Sequence, residues 1–227
     1  MGFSFRRQLL ATLSRREAGV TQQEWKRLKF TYAQEGEDVI ARALLPEEKG
    51  TYVEVGAFHP VSISNTYLFY RMGWRGVVVE PVPEVVTLFR RRRPGDVVLE
   101  CAVSDEEGVR NFEIMRAGET NRLAGAGAAS GEGGTLLRTL EVRCRTLKAI
   151  LSEHFQEGRK IDFMTIDTEG HDLNVLRSND WARYRPRLLA VEDFQKVQDS
   201  PVCQFLSGVG YRTVITSRHT RFFMPDA

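Results

Sequence analysis

The stretch TYVEVGAFHP, residues 51–60, decides the fold of this chain. Its first five residues are apolar or β-branched around one acid, which predicts a buried strand. Gly56 ends that strand at the point where a doubly wound sheet places its ligand crevice. A glycine there lets the backbone approach a ligand closely, because it carries no Cβ. Glu54 sets a carboxylate next to this turn, so the stretch predicts the first strand of a nucleotide-binding α/β unit.

The residues that follow complete the outline of such a unit. Residues 64–74 have the apolar spacing of a helix, and GVVVE, residues 76–80, is a second buried strand that ends in an acid. No glycine completes G-x-G-x-x-G, and no G-x-x-x-x-G-K-[ST] occurs, so a pyrophosphate would lack its usual cradle. One glycine and two acids suit a ligand with a ribose and no phosphates, and S-adenosyl-L-methionine is such a ligand. An ordinary core strand followed by a turn stays open as the alternative.

The composition indicates one globular domain and excludes several classes of partner. The chain has 227 residues, 42% hydrophobic and 27% charged, which is typical of such a domain. A net charge of +2 gives no basic surplus for a nucleic-acid partner. No apolar run is long enough for a membrane span, and no secretory signal is convincing. The cysteines have no close spacing, which suits a reduced set in a cytoplasmic protein.

Two segments stand apart from the predicted α/β core of residues 30–227. Residues 1–29 have the pattern of an amphipathic helix, which could lie on a membrane surface, pack on its own domain or pack on the mate in a homodimer. Residues 116–134, RAGETNRLAGAGAASGEGG, are poor in large apolar side chains. Such a segment cannot anchor itself in a core, so we expect a flexible loop.

Further runs predict the remaining strands and the helices between them. The predicted strands are residues 96–103, 161–166, 188–191, 211–216 and 219–223, the last two as a closing hairpin. The helix predicted over residues 81–93 ends in four arginines. We expect these to be a solvated helix C-terminus, where the helix dipole favours cations.

Three of these runs together resemble the FkbM-type methyltransferases. They are FTYAQEGEDVIARALL (residues 30–45), YVEVGAFHPVSISNTYLFYRMGWRGVVVEPVPE (52–84) and DFMTIDTEGHDLNVLRS (162–178). The resemblance implies a class I, Rossmann-like α/β three-layer sandwich whose mainly parallel seven-stranded sheet has an antiparallel last strand. It also implies S-adenosylmethionine as cofactor and O-methylation, often of sugars or natural products. His171-Asp172 departs from the small residue and Glu that the family tends to carry, which leaves the role of His171 open.

The cofactor would be bound along the strand ends. Glu80 can accept hydrogen bonds from both ribose hydroxyls, the first strand and its glycine would face the amino-acid end, and the residues after the third strand would flank the adenine. The predicted cofactor-binding residues are Glu54, Gly56, Glu80, Pro81, Cys101, Ala102, Val103 and Asp167.

A sugar hydroxyl is a poor nucleophile, so a base or a metal should help it to lose its proton. The predicted catalytic residues are Asp167, Glu169 and His171, and the predicted acceptor-binding residues are His59, Asn65, Glu192 and Asp193. Asp167, Glu192 and Asp193 end strands that should be neighbours, so we expect three carboxylates to converge. We expect a metal-free base, with Mg²⁺ held by those carboxylates as the alternative. Structural roles also stay open: a helix cap for His171, a turn for His59 and ion pairs for the last two acids.

Two other functional classes compete with a small-molecule O-methyltransferase. One is a methyltransferase for proteins or other macromolecules, although the Asn/Asp-Pro-Pro-Tyr signature of amino methylation is absent. The other is a non-catalytic adapter that binds the cofactor. Intact Gly56, Glu80 and Asp167 favour an enzyme.

Overall fold

Within the part of the chain that the structure describes, seven strands form a central sheet and four form a smaller one. The computed structural model describes residues 30–126, 134–155 and 160–226. The strands are β1 (Thr51–Val55), β2 (Arg75–Val79), β3 (Val97–Leu99), β4 (Ala102–Val103), β5 (Gly108–Met115), β6 (Arg122–Leu123), β7 (Leu136–Arg145), β8 (Phe163–Ile166), β9 (Leu188–Glu192), β10 (Tyr211–Thr216) and β11 (Thr220–Pro225). The helices are α1 (Glu37–Leu44), α2 (Tyr67–Arg71), α3 (Pro83–Arg92), α4 (Leu147–His154), α5 (Asp172–Arg177) and α6 (Pro201–Gly208), with a 3₁₀ turn at Val197–Asp199.

The central sheet has the order β10-β11-β9-β8-β1-β2-β3. The strands from β9 to β3 pair in parallel, and β11 is antiparallel to both of its neighbours. Helices α4, α5 and α6 pack on one face of the sheet, and α1, α2 and α3 pack on the other. This arrangement confirms the predicted class I three-layer α/β fold with an antiparallel last strand. No helix in the described part of the chain combines the length and the hydropathy that a membrane crossing needs.

The predicted third strand is two strands, which belong to different sheets. β3 stays at the edge of the central sheet, whereas β4 pairs in parallel with β7 in the small sheet, whose order is β4-β7-β5-β6. Apolar side chains of β4, β5, β6 and β7 pack with Val82 in a core of their own. That core holds the small sheet against the start of α3, and it explains why the chain leaves the central sheet after β3.

The segments that stood apart in the sequence are described only in part. Residues 1–29, with the predicted N-terminal helix, lie outside the described residues, as do residues 127–133 of the predicted flexible loop. The rest of that loop includes β6, which pairs with β5. Its Asn121 side chain accepts a hydrogen bond from the backbone N–H of Met115 at 2.8 Å. The mobility of the loop stays a prediction.

The arginine run at the end of α3 corrects one expectation. Three of its members are exposed, but the last, Arg93, is fully buried. Its guanidinium lies 2.7 Å from Asp96 and 3.3 Å from Glu54, and it donates to Tyr52 and Thr66 at 2.9 and 2.8 Å. Arg93 follows the last helical residue, where the chain turns back towards β3. Its side chain therefore points towards β1, where it contacts Glu54 and Tyr52. A buried charge requires such pairing, because desolvation is costly.

The turn after β1 is closely packed against the end of β8. Gly56 has φ +80°, and a Cβ on it would lie 1.7 Å from the carbonyl oxygen of Asp167. The backbone N–H of Asp167 donates to Val55 at 3.0 Å, and that of Gly56 donates to Val79 at 3.1 Å. The carboxyl end of β1 is therefore joined by a backbone hydrogen bond to the end of each neighbouring strand, β2 and β8.

Replacing Gly56 by alanine should destabilise the protein more than a positive φ alone explains. Gly73→Ala is the matched control, because Gly73 has φ +96° and open space around its Cβ position. The control should lose about 1–2 kcal/mol for the left-handed backbone. Gly56→Ala should lose about 1–3 kcal/mol more, because a carbonyl oxygen must move. Urea unfolding measures both variants, and equal losses would contradict the close packing.

Candidate active site

A cavity of about 450 Å³ opens at the carboxyl ends of the parallel strands, which is where sheets of this kind bind ligands. It is lined by most of the residues that the sequence predicted for cofactor binding, acceptor binding and catalysis. These are Glu54, Gly56, Asn65, Glu80, Pro81, Cys101, Ala102, Val103, Asp167, Glu169, His171 and Glu192. Among the described residues that were predicted for the site, His59 and Asp193 do not line the cavity.

Glu80 follows β2 directly and is buried in the cavity wall. Its Oε1 accepts a hydrogen bond from the backbone N–H of Val82 at 2.8 Å. Burial raises the pKa of Glu80 to about 7, although that hydrogen bond acts in the opposite direction. The carboxyl group is thus held by the backbone and titrates near neutral pH, in the position predicted for the ribose hydroxyls.

Glu54 lies beside Glu80 on β1 and is in contact with the buried Arg93. Its Oε2 accepts hydrogen bonds from Thr66 and Arg93, and its Oε1 has no hydrogen-bond partner among the described residues. Burial raises the pKa of Glu54, and the positive charge of Arg93 counteracts that rise. Asn65, next to Thr66, donates from its amide to Thr165 at 3.1 Å. These contacts fix the polar side chains at the β1 end of the cavity.

Three carboxyl groups meet on the floor of the cavity. One oxygen each from Asp167, Glu169 and Glu192 lies within 4.8 Å of the others. Burial and the neighbouring acids raise the pKa of Asp167 well above its usual range. Burial and the nearby charges of Asp167 and Glu169 raise the pKa of Glu192. Glu192 Oε2 is buried without a hydrogen-bond partner in the described part of the chain. Like charges this close retain a proton at neutral pH.

The loop after β8 is held by an acid that the sequence reasoning did not single out. Asp172 accepts hydrogen bonds from the backbone N–H and the hydroxyl of Thr168, at 2.9 and 3.0 Å, and from the N–H of Gly170 at 3.3 Å. Glu169 between them has φ +52°, which is uncommon for a residue other than glycine. Burial raises the pKa of Glu169 to about 7. An acid at the first position of a helix is a common sequence signal. It does not indicate that the same side chain also binds the backbone of the preceding loop.

Asp193 does not join this cluster, contrary to the expectation of three converging strand-end acids. Its carboxylate is buried and paired with Arg221, and it accepts from Ser200 and from the N–H of Gln195. Successive residues of a strand point to opposite sides. Because Glu192 points into the cavity, Asp193 points away from it, and Glu169 is the third acid instead.

His59 forms part of a turn, one of the two roles that the sequence left open. Its Nδ1 accepts from the backbone N–H groups of Val61 and Ser62 at 3.1 and 3.0 Å. Burial lowers the pKa of this imidazole, in keeping with a neutral ring that accepts hydrogen bonds. We therefore no longer assign an acceptor contact to His59.

Several residues at the cavity mouth were not predicted for the site. Phe194 is 39% exposed, and its ring centroid lies 4.7 Å from that of His219. Phe58, Ile63 and Arg218 complete this part of the lining. Phe194, Arg218 and His219 lie outside the motifs quoted above, so only the folded chain brings them to Phe58 and Ile63.

The order and directions of the strands in the central sheet are those of a class I methyltransferase. The sequence profile described as "Methyltransferase FkbM domain" matches residues 54–213. The chain belongs to this family, and its cofactor is S-adenosylmethionine.

Solved structures with a similar fold are distant in sequence. A precorrin-6y C5,15-methyltransferase from Geobacter metallireducens is 9% identical, over 84% of this chain and 87% of that one, with a TM-score of 0.44. A 1,6-didemethyltoxoflavin-N1-methyltransferase from Burkholderia thailandensis, with S-adenosylhomocysteine bound, is 14% identical over 84% and 77%, with a TM-score of 0.42. No curated protein matches the chain. The family assignment rests on the domain match.

The affinity for S-adenosylhomocysteine should fall as the pH is lowered through 7, because Glu80 must lose its proton to accept two hydroxyl hydrogen bonds. Its pKa of about 7 places this loss in that range. The fall should approach about tenfold per pH unit below the pKa. Glu80→Gln should bind about 1.5–3 kcal/mol more weakly and lose that part of the pH dependence. Calorimetry from pH 5.5 to 8.5 measures this, and an unchanged pH profile in the variant would refute the ribose role.

Proposed function

We propose that this protein is an O-methyltransferase that transfers the methyl group of S-adenosylmethionine to a hydroxyl of a carbohydrate or small natural product. The observation that carries the proposal is the cluster of Asp167, Glu169 and Glu192 on the floor of the cavity. Methyl transfer to oxygen needs a group that takes the hydroxyl proton. These carboxyl groups have raised pKa values, which suits such a proton acceptor.

The cavity fits the cofactor in size and in chemistry. Its volume is within the range of cofactor pockets. Glu80 presents a backbone-held carboxylate for the ribose, and Glu54 Oε1 is available for the amino-acid end. Pro81, Ala102 and Val103 line an apolar part of the wall that suits a nucleobase. When bound, the cofactor supplies a methyl group on a sulfonium, which is activated for transfer to a nucleophile.

The protein's own part of the reaction is to receive a proton. Asp167 and Glu192 lie close enough to oppose each other's ionisation, so the pair holds one proton and one charge. Glu192 lines the cavity, and its buried Oε2 has no partner among the described residues, so the pair can take up a further proton. When the acceptor's oxygen takes the methyl group, the C–S bond of the sulfonium would break to leave a neutral thioether, and this carboxylate pair would take the hydroxyl proton. Glu169 keeps the affinity of the pair for protons high, because its charge is close.

The cavity mouth supports an acceptor that is small and has one apolar face. Phe194, Phe58 and Ile63 offer apolar surface, and Asn65 lies deeper in the cavity with its amide. Such a mixture suits a sugar ring or a natural-product scaffold. A non-catalytic adapter would need no proton acceptor, so the carboxyl cluster favours an enzyme. The cytoplasmic location and the homodimer remain predictions from the sequence.

Methyl transfer should survive exhaustive chelation, because a carboxylate pair takes the proton without a metal ion. Asp167→Asn should lower kcat by about 10²–10⁴, the usual contribution of a positioned base. S-adenosylhomocysteine release with a panel of sugar and natural-product acceptors measures both. The variant should still bind S-adenosylhomocysteine, which controls for folding.

The alternative is a divalent cation, because three carboxylate oxygens are also ligands that Mg²⁺ accepts. Activity that EDTA removes and Mg²⁺ or Mn²⁺ restores would contradict the metal-free proposal. Asp167, Glu169 and Glu192 would then be metal ligands rather than a proton acceptor.

A further inference from the structure

The hydrogen bonds of His171 determine which of its ring nitrogens carries the proton. Its Nε2 lies 3.0 Å from the hydroxyl of Ser104, which is fully buried. That hydroxyl donates its single proton to Asp105 at 3.0 Å. Burial tends to raise the pKa of Asp105, but hydrogen bonds from Asn174 and Ser104 lower it overall, so this carboxylate is ionised and can only accept. Ser104 must therefore accept from His171, and Nε2 carries the hydrogen.

The other ring nitrogen, Nδ1, is consequently an acceptor. Burial lowers the pKa of His171 below its ordinary value, so the ring is neutral near pH 7. Within the described residues, Nδ1 has no hydrogen-bond partner from the protein, and the ring lines the cavity. The site thus offers one fixed lone pair to a ligand that donates a hydrogen bond.

The position of His171 in the cavity indicates which part of a bound ligand would donate a hydrogen bond to Nδ1. Ser104, its partner, directly follows β4, whose residues Ala102 and Val103 form the apolar wall beyond Glu80. With the ribose at Glu80, this wall is where the nucleobase lies. The proton-accepting cluster belongs to the ends of β8 and β9 instead.

We propose that His171 binds the cofactor's adenine and is not the base of the reaction. Its Nδ1 accepts a hydrogen bond from the exocyclic amino group, and Ser104 and Asp105 are positioning residues that hold the tautomer. The inference rests on the proposed binding of S-adenosylmethionine in this cavity with its ribose at Glu80. It replaces the catalytic role that the sequence suggested for His171.

The proposal predicts selectivity between adenine and hypoxanthine. S-inosylhomocysteine carries a carbonyl oxygen where S-adenosylhomocysteine carries the amino group. In the wild-type protein that oxygen would face the Nδ1 lone pair, two acceptors without a proton between them. The wild type should therefore bind S-adenosylhomocysteine at least about tenfold more tightly than the inosine analogue.

Calorimetry with the two ligands tests the proposal in matched variants. His171→Phe keeps a ring but has no lone pair, and should bring the affinity ratio close to one. His154→Phe makes the same exchange at the end of α4, away from the cavity lining, and should keep the wild-type ratio. Ser104→Ala should lower the ratio severalfold, because the tautomer is no longer held, whereas Ser104→Thr keeps the hydroxyl and should retain it.

Each outcome separates this inference from the proposed function. Equal affinities in the wild type, or a wild-type ratio in His171→Phe, would overturn the role of His171 and leave the cofactor assignment intact. If neither ligand binds the wild type, the proposed function fails and the inference fails with it. Should His171→Phe not fold, the comparison of Ser104→Ala with Ser104→Thr decides, and equal ratios in that pair would overturn the proposal.

Discussion

The close approach of Gly56 to the backbone of Asp167 is the constraint on which the site depends. A Cβ at residue 56 would nearly coincide with the Asp167 carbonyl oxygen. This contact lets β1 and β8 end side by side, so the acids that follow them share one cavity. Cofactor-binding and proton-accepting groups are thereby set at fixed spacing by backbone atoms, which move little.

Near this contact, Arg93 lowers the cost of burying acidic side chains, because it pairs with them. Its guanidinium compensates Glu54 and Asp96, both of which it contacts. On the floor of the cavity, the described residues supply no such cation to Asp167 and Glu192, and the pKa values of both groups are raised instead. The two sets of buried carboxyl groups therefore differ. Glu54 and Asp96 are neutralised by the permanent charge of Arg93, whereas Asp167 and Glu192 can exchange a proton.

The central sheet and the acids at its strand ends could be predicted from the sequence, because both follow from local patterns. Apolar runs bounded by glycine and acids identify strands, and Glu80 and Asp167 each follow such a run directly. Arg93 could not be predicted in this way, since a helix C-terminal arginine run looks solvated until the chain's return to β3 is known. The sequence named Asp193 as the third acid of the cluster, whereas the structure has Glu169 there. This difference depends on the side of β9 to which Glu192 points, which the sequence does not give. The contact of His171 with Ser104 joins residues far apart in sequence, and no local pattern indicates it.

The central claim is that the carboxyl cluster lies beside the reacting end of the cofactor and exchanges a proton. S-adenosylmethionine carries a sulfonium charge there, whereas S-adenosylhomocysteine has a neutral sulfur and is otherwise the same. A nearby cation lowers carboxyl pKa values, so binding of the charged cofactor should expel a proton from the cluster. Calorimetric titrations at pH 7.5, in buffers of different ionisation enthalpy, count the protons exchanged with each ligand. The result expected is that S-adenosylmethionine releases up to about one proton more than S-adenosylhomocysteine, with the difference abolished in Asp167→Asn. Equal proton counts for the two ligands in the wild type would contradict the claim.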